Sequence, residues 1–143
     1  MESLVRRITR HFLRKNRKET SSERALRDMD WLEKALERWV AEKGYRKPHR
    51  TVNETAGELG TDGVLLHHYF QDRMHVDFRT WRTRLRLEDA CRLLMEEPQT
   101  HAADIGLRVG FSNRSNFARQ FRAYFGCTPV EWRAGKIPSL RSE

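Results

Sequence analysis

One pattern of residues is written twice in this chain at a constant interval, and that repeat constrains the fold more than any other feature. Leu66 and Phe117, His68 and Arg119, Phe70 and Phe121, Phe78 and Pro129, Trp81 and Trp132, and Arg82 and Arg133 are partners across the two copies. Agreement at so many apolar positions means that each copy buries the same face in the same way. Two copies make a pair of similar subdomains, since a solenoid needs three or more repeats to build a continuous core.

The second copy is the easier to read. Ser112 follows the apolar Phe111 and is the expected N-cap, because a serine hydroxyl accepts from backbone N–H groups two or three residues on. From there Phe117, Phe121 and Phe125 recur every fourth residue as one apolar stripe, while Arg114, Ser115, Ala118, Arg119 and Arg122 lie off it. Upstream, Ala103, Ile105, Leu107 and Val109 mark a short leading helix, with Gly110 placed for the left-handed backbone at its end. The result is helix, tight turn, helix.

The first copy has Thr55-Ala56-Gly57-Glu58-Leu59-Gly60 as its leading helix, Asp62 as N-cap and Leu66 and Phe70 buried; its turn is one residue shorter. Between the copies, Phe78, Trp81, Leu85, Leu87, Cys91 and Leu94 fall near helical spacing, interleaved with Arg79, Arg82, Arg84, Arg86, Glu88, Asp89 and Arg92. This linker helix spans about 78–96 before Pro98 ends it, a rod of roughly 28 Å at ~1.5 Å per residue. Such a strut holds the two units close to the ~34 Å that separates successive major-groove faces on one side of B-DNA.

Charge points the same way. From Asp104 to Arg133 the acidic residues are Asp104 and Glu131 alone, against Arg108, Arg114, Arg119, Arg122 and Arg133. A polyanion is the natural partner. The outward face also suits base edges, because an arginine fork pairs bidentately with guanine O6 and N7, while Ser115, Asn113 and Asn116 are shorter donors and acceptors. Phosphate clamps alone would not need that mixture.

The 143-residue chain carries a net charge of +8, which fits nucleic acid and would also fit an acidic membrane surface. No apolar run approaches the ~18 residues of a membrane span, and the start lacks an apolar signal core, so neither insertion nor export is expected. Two cysteines without CxxC spacing suggest a reducing cytoplasm, with the nucleoid as the expected location of a DNA binder. Cys91 and Cys127 read as inert thiols. His67 and His68 point about 100° apart on a helix with no third ligand spaced to join them, so no metal and no cofactor is expected. Phe117, Phe121, Trp31, Trp39, Trp81 and Trp132 are the expected aromatic core.

Ahead of the repeat, Leu4, Val5, Ile8, Phe12 and Leu13 form an apolar stripe amid Arg and Lys, and Glu19-Thr20-Ser21-Ser22-Glu23 reads as a polar linker. Residues 1–25 are thus a basic helix or tail, and a first domain helix starts at Asp28 or Asp30 and ends at Gly44.

Residues from about Trp31 to Arg133 resemble the DNA-binding domain of the AraC/XylS family of bacterial transcription regulators. The resemblance rests on Ile105, Gly110-Phe111, Ser115, Phe117, Arg119, Phe121, Gly126, Thr128-Pro129 and Trp132-Arg133 in the second motif, and on Arg86-Leu87-Glu88-Asp89-Ala90 with Leu93-Leu94 in the linker helix. It implies an all-α fold of about seven helices. Two helix-turn-helix subdomains, at about 51–76 and 100–125, are joined by the linker helix within a 26–136 domain, followed by a 137–143 tail. The family's base-reading positions correspond to Arg114, Ser115, Ala118 and Arg119, and in the first motif to Val64, His67 and His68. Double-stranded DNA and RNA polymerase are the implied partners, the oligomeric state is open, and no enzymatic activity is implied.

Three departures stand out. His68 replaces a common arginine, so weaker or less selective contacts are expected from the first motif. His75 replaces a glycine. Gly106 replaces an alanine, which at about 1 kcal/mol for an interior glycine predicts a less stable leading helix. Three other readings share this pattern: a DNA-repair enzyme, the DNA-binding part of a larger and conceivably membrane-anchored sensor, and a protein-interaction module derived from this fold. The first needs a zinc-binding cysteine cluster and a reactive Cys beside His, which Cys91 and Cys127 do not supply.

Overall fold

A computed structural model describes residues 18–138 of the chain, and the apolar stripe over residues 4–13 lies outside them. Among the described residues there are seven α-helices and no strand. The all-helical reading therefore holds. The described residues divide into two compact units, 18–31 and 32–138.

Helix α1, Ser21–Ala41, begins earlier than the sequence reading placed it. The Glu23 N–H donates to Thr20 Oγ1 at 3.1 Å and the Thr20 N–H donates to Glu23 Oε2 at 2.9 Å, so Thr20-Ser21-Ser22-Glu23 is a capping box and not a linker. Arg27 Nη1 meets Glu19 at 2.7 Å in the same unit. Trp31, expected in the core, stays 43 % exposed.

From Leu32 onward, α1 buries Leu32, Ala35, Leu36 and Trp39 along one face. It leads to a 3-10 turn, Gly44–Arg46, where the Trp39 indole lies so close that a Cβ on Gly44 would sit 2.2 Å from its Nε1. Thr51 and Glu54 form the capping box of α2, Val52–Leu59, which ends at the left-handed Gly60. Asp62 then caps α3, Gly63–Tyr69, accepting from the Leu65 N–H at 2.9 Å. This helix runs into a wide π turn, Phe70–Met74, closed by His75 at φ 54°.

Helix α4, Phe78–Glu96, links the two motifs; its N-cap Asp77 accepts from the Thr80 N–H at 2.9 Å. Its polar residues are not all on the surface. Arg86 and Asp89, two of the charged residues interleaved with the apolar positions, are buried beside Leu87, Ala90, Leu93 and Leu94. Two short helices and one longer one follow: α5, Ala102–Arg108; α6, Arg114–Phe125; and α7, Pro129–Arg133, which starts at a Thr128–Glu131 capping box.

Each copy of the repeat has its own core. In the first, the rings of Trp39, Phe70, Phe78 and Trp81 meet, with Phe70–Trp81 centroids 5.0 Å apart and Phe70–Phe78 5.4 Å. In the second, Ile105, Val109, Phe111, Phe117 and Phe121 pack on Leu87, Ala90 and Leu94, with Phe125 and Trp132 partly buried at its edge. The paired arginines also behave alike: Arg82 Nη1 donates to the Arg50 carbonyl at 2.8 Å and Arg133 Nε to that of Leu94 at 3.0 Å.

Gly106 acquires a reason here. A Cβ on it would lie 2.2 Å from the Phe117 ring, so the absent side chain lets α5 and α6 close on that ring. The helix-propensity cost is offset by packing that alanine would obstruct.

Candidate nucleic-acid interface

The second motif presents α6 on a short turn after α5. Its N-cap is Asn113 instead of the expected Ser112: the Asn116 N–H donates to Asn113 Oδ1 at 2.7 Å, and Asn113 has the extended backbone of a cap. Asn and Ser cap about equally well, so the choice is made by the turn, which places Asn113 opposite that N–H. The carboxamide oxygen of Asn113 is thereby engaged in starting the helix.

Beyond the cap, Phe117 and Phe121 are buried, 1 % and 0 % exposed. Arg114, Ser115, Ala118, Arg119 and Arg122 are all exposed, spaced so that they share the opposite face of the same helix. Two of these arginines are held. Arg114 Nη2 donates to Asp104 Oδ1 at 2.9 Å, an ion pair reaching back to α5. Arg119 Nη2 donates to Asn116 Oδ1 at 2.8 Å one turn earlier on α6. Neither partnership was foreseen from sequence, although Asp104 is one of only two acids in the whole stretch. A guanidinium has five N–H donors, so one bond to a neighbour leaves most of the fork directed outward.

The first motif presents a shorter and less charged surface. Val64 is 67 % exposed, and His67 and His68 are exposed with ring centroids 5.9 Å apart. Gly63 at its start packs against α2, where a Cβ would meet Asn53 Oδ1 at 2.1 Å. Its outward groups are thus one aliphatic side chain and two imidazoles, where α6 offers three arginines.

The cysteines lie away from both faces. Burial pushes the Cys91 thiol up to about 12, and burial also raises Cys127, so neither is the thiolate that nucleophilic chemistry requires. No helix among the described residues is long and apolar enough to cross a membrane.

Two helix-turn-helix units on one connecting helix, each with an exposed second helix and the second unit rich in arginine, define a double helix-turn-helix DNA-binding domain. A family profile described as "Helix-turn-helix domain" matches residues 55–135. The chain belongs to that family, in its AraC/XylS type. The arabinose operon regulatory protein of Salmonella typhimurium is 33% identical over 87 residues, which cover 61% of this chain and 31% of that protein. The probable transcription factor PqrA of Proteus vulgaris is 27% identical over 102 residues, 71% of this chain and 83% of that protein. The chain spans about a third of the length of the arabinose regulator it matches. Among solved structures, the C-terminal domain of AraT, a response regulator from Geobacillus stearothermophilus, superposes with a TM-score of 0.66 at 21% identity. That match covers 79% of this chain and 91% of the other, and it shows the fold.

Proposed function

We propose that this chain is a sequence-specific transcription regulator that sets α6 and α3 into adjacent major grooves of one duplex. The observation that carries the reading is the pair of exposed second helices on one connecting helix, with the arginine face of α6 outward and its phenylalanine stripe in the core. In this reading Arg119 and Arg114 pair with guanine edges, Ala118 meets a thymine methyl, and Ser115 and Asn116 contribute short polar contacts. Asn113 and Arg122 lie at either end of that surface, where backbone phosphates pass. His67, His68 and Val64 supply the weaker contacts of the first motif.

Nineteen residues of α4 give a strut of about 28 Å, a length that supports engagement of two grooves ~34 Å apart on a duplex bent toward the protein. Lysine and arginine contacts to phosphate set the register and make binding steeply salt-dependent. RNA polymerase is the partner through which such a regulator would act, and chromosomal DNA is where it would reside. Selection of random duplexes with the purified chain tests the proposal. Enrichment of a bipartite motif with half-sites about 10 bp apart is the expected result; a single short motif, or no enrichment, would overturn it.

A further inference from the structure

The turn that follows α1 touches both halves of the repeat. Tyr45 is 7 % exposed and its hydroxyl donates to Asp89 Oδ2 at 3.0 Å, in the middle of α4. Arg46 grips the same carboxylate with two bonds, Nε to Oδ2 at 2.6 Å and Nη2 to Oδ1 at 3.0 Å. In the opposite direction, Arg86 of α4 donates to the Tyr45 carbonyl at 2.6 Å and to that of Lys47 at 3.1 Å. The turn is therefore tied to the linker helix by side chains from both partners.

The same turn also abuts the second motif. Gly110, at φ 115° where α5 gives way to the turn before α6, is so close that a Cβ would lie 2.6 Å from the Tyr45 carbonyl oxygen and 3.0 Å from Arg46 Cα. It would lie 2.7 Å from Arg86 Nε, and the Arg86 guanidinium sits 6.0 Å from the centre of the Phe111 ring. At its other end the turn belongs to the first motif: Tyr45 meets Trp39 edge-on at 6.2 Å, and Trp39 packs on Phe78 and Trp81. A segment rooted in the first core thus rests directly on the turn that aims α6.

We infer that the Tyr45–Lys47 turn, clasped by Asp89 and Arg86 and seated on Gly110, fixes the angle between the two DNA-reading helices and so determines which half-site spacing this protein accepts. The inference rests on the two-groove reading above. Linked binding units gain avidity only when their connection lets both sites engage together, and a stiff connection confines that gain to a narrow range of geometries. Tyr45, Arg46, Arg86, Asp89 and Gly110 are positioning residues; none of them is placed against DNA.

The test is a spacing series. The duplex enriched by selection is remade with 1, 2 or 3 base pairs inserted between its half-sites, and the intact chain is compared with the Tyr45→Phe/Arg46→Ala double variant. That variant keeps the ring on Trp39 and leaves Arg92 Nη2 on Asp89 Oδ1 at 2.9 Å, so the carboxylate retains one charged partner. Both proteins are also titrated against a duplex with one half-site destroyed, which reads the integrity of a single motif. The unaltered chain should lose affinity about 100-fold on insertion of 2 base pairs, and the variant less than about 10-fold, with equal affinity for the half-site duplex. A variant as spacing-sensitive as the unaltered chain would overturn the clasp and leave the two-groove reading standing. So would a variant weakened on the half-site duplex, since the residues would then only stabilise the fold. Indifference of the unaltered chain to spacing would overturn the two-groove reading itself.

Discussion

Asp104 holds Arg114: the carboxylate on α5 accepts from the guanidinium at the start of α6 at 2.9 Å, with the arginine exposed and the aspartate half-buried. A surface pair of this kind contributes only about 0–1 kcal/mol to stability. Under the proposed function its effect on binding should be larger, because it would orient the fork and place a negative charge beside the duplex. Asp104→Asn should leave the thermal transition nearly unchanged and raise affinity for random DNA. Discrimination at the base read by Arg114 should fall by about 1 kcal/mol. Titrations against specific and scrambled duplexes give the ratio directly, and an unchanged ratio would contradict an orienting role.

Arg119 and the histidine pair are predicted to contribute unequally. Arg119→Ala should cost about 1–3 kcal/mol of site discrimination. His67→Ala and His68→Ala together should weaken binding less, since two imidazole rings offer fewer N–H donors than one guanidinium. Gel-shift titrations at fixed salt rank the two variants; the reverse order would make the first motif dominant.

Gly106→Ala offers a sign test. Helix propensity alone predicts a gain of up to about 1 kcal/mol. The Phe117 ring, 2.2 Å from where the methyl would go and itself 1 % exposed, cannot move aside freely. Overpacking should win, for a net loss of about 1–2 kcal/mol in urea denaturation. A stabilised variant would show that the interface between α5 and α6 is looser than described.

Asp89 links the clasp to pH. Burial pushes its carboxyl up, but hydrogen bonds from Arg46, Arg92 and Tyr45 outweigh that and hold it below its ordinary value of 3.8. A carboxylate depressed in the folded state contributes stability that is complete above its unfolded pKa and is lost as pH falls through the folded one. Stability should therefore be level with respect to this group above about pH 5 and decline below about pH 4. Asp89→Asn should be less stable at neutral pH and show a shallower acid decline. Equal acid slopes for the two proteins in denaturant titrations would remove Asp89 from the account.

The parts of this fold that were legible in the sequence are those set by near neighbours. Phenylalanines at every fourth position, Asp62 before α3 and Gly110 after α5 act within one or two turns of helix, and the repeat pairs Leu66 and Phe70 with Phe117 and Phe121. The outward face of α6 was legible for the same reason, because the residues off an apolar stripe must face outward. Long-range partners were not legible. Arg86 and Asp89 look like surface charge on α4 until Tyr45 and Arg46, more than forty positions earlier in the chain, arrive to satisfy them. Gly106 looks like a defect until the Phe117 ring is placed against it. The early start of α1 was a local signal obscured by composition: Thr20 and Glu23 have the spacing of a capping box inside a stretch polar enough to pass for a linker.

Hydroxyl-radical footprinting of the intact chain on its selected site reads whether α3 and α6 grip one duplex together. Two protected blocks about 10 bp apart on one side of the duplex are expected, with Arg119→Ala weakening mainly the block under α6. A single protected block that vanishes entirely with Arg119→Ala would contradict the joint grip.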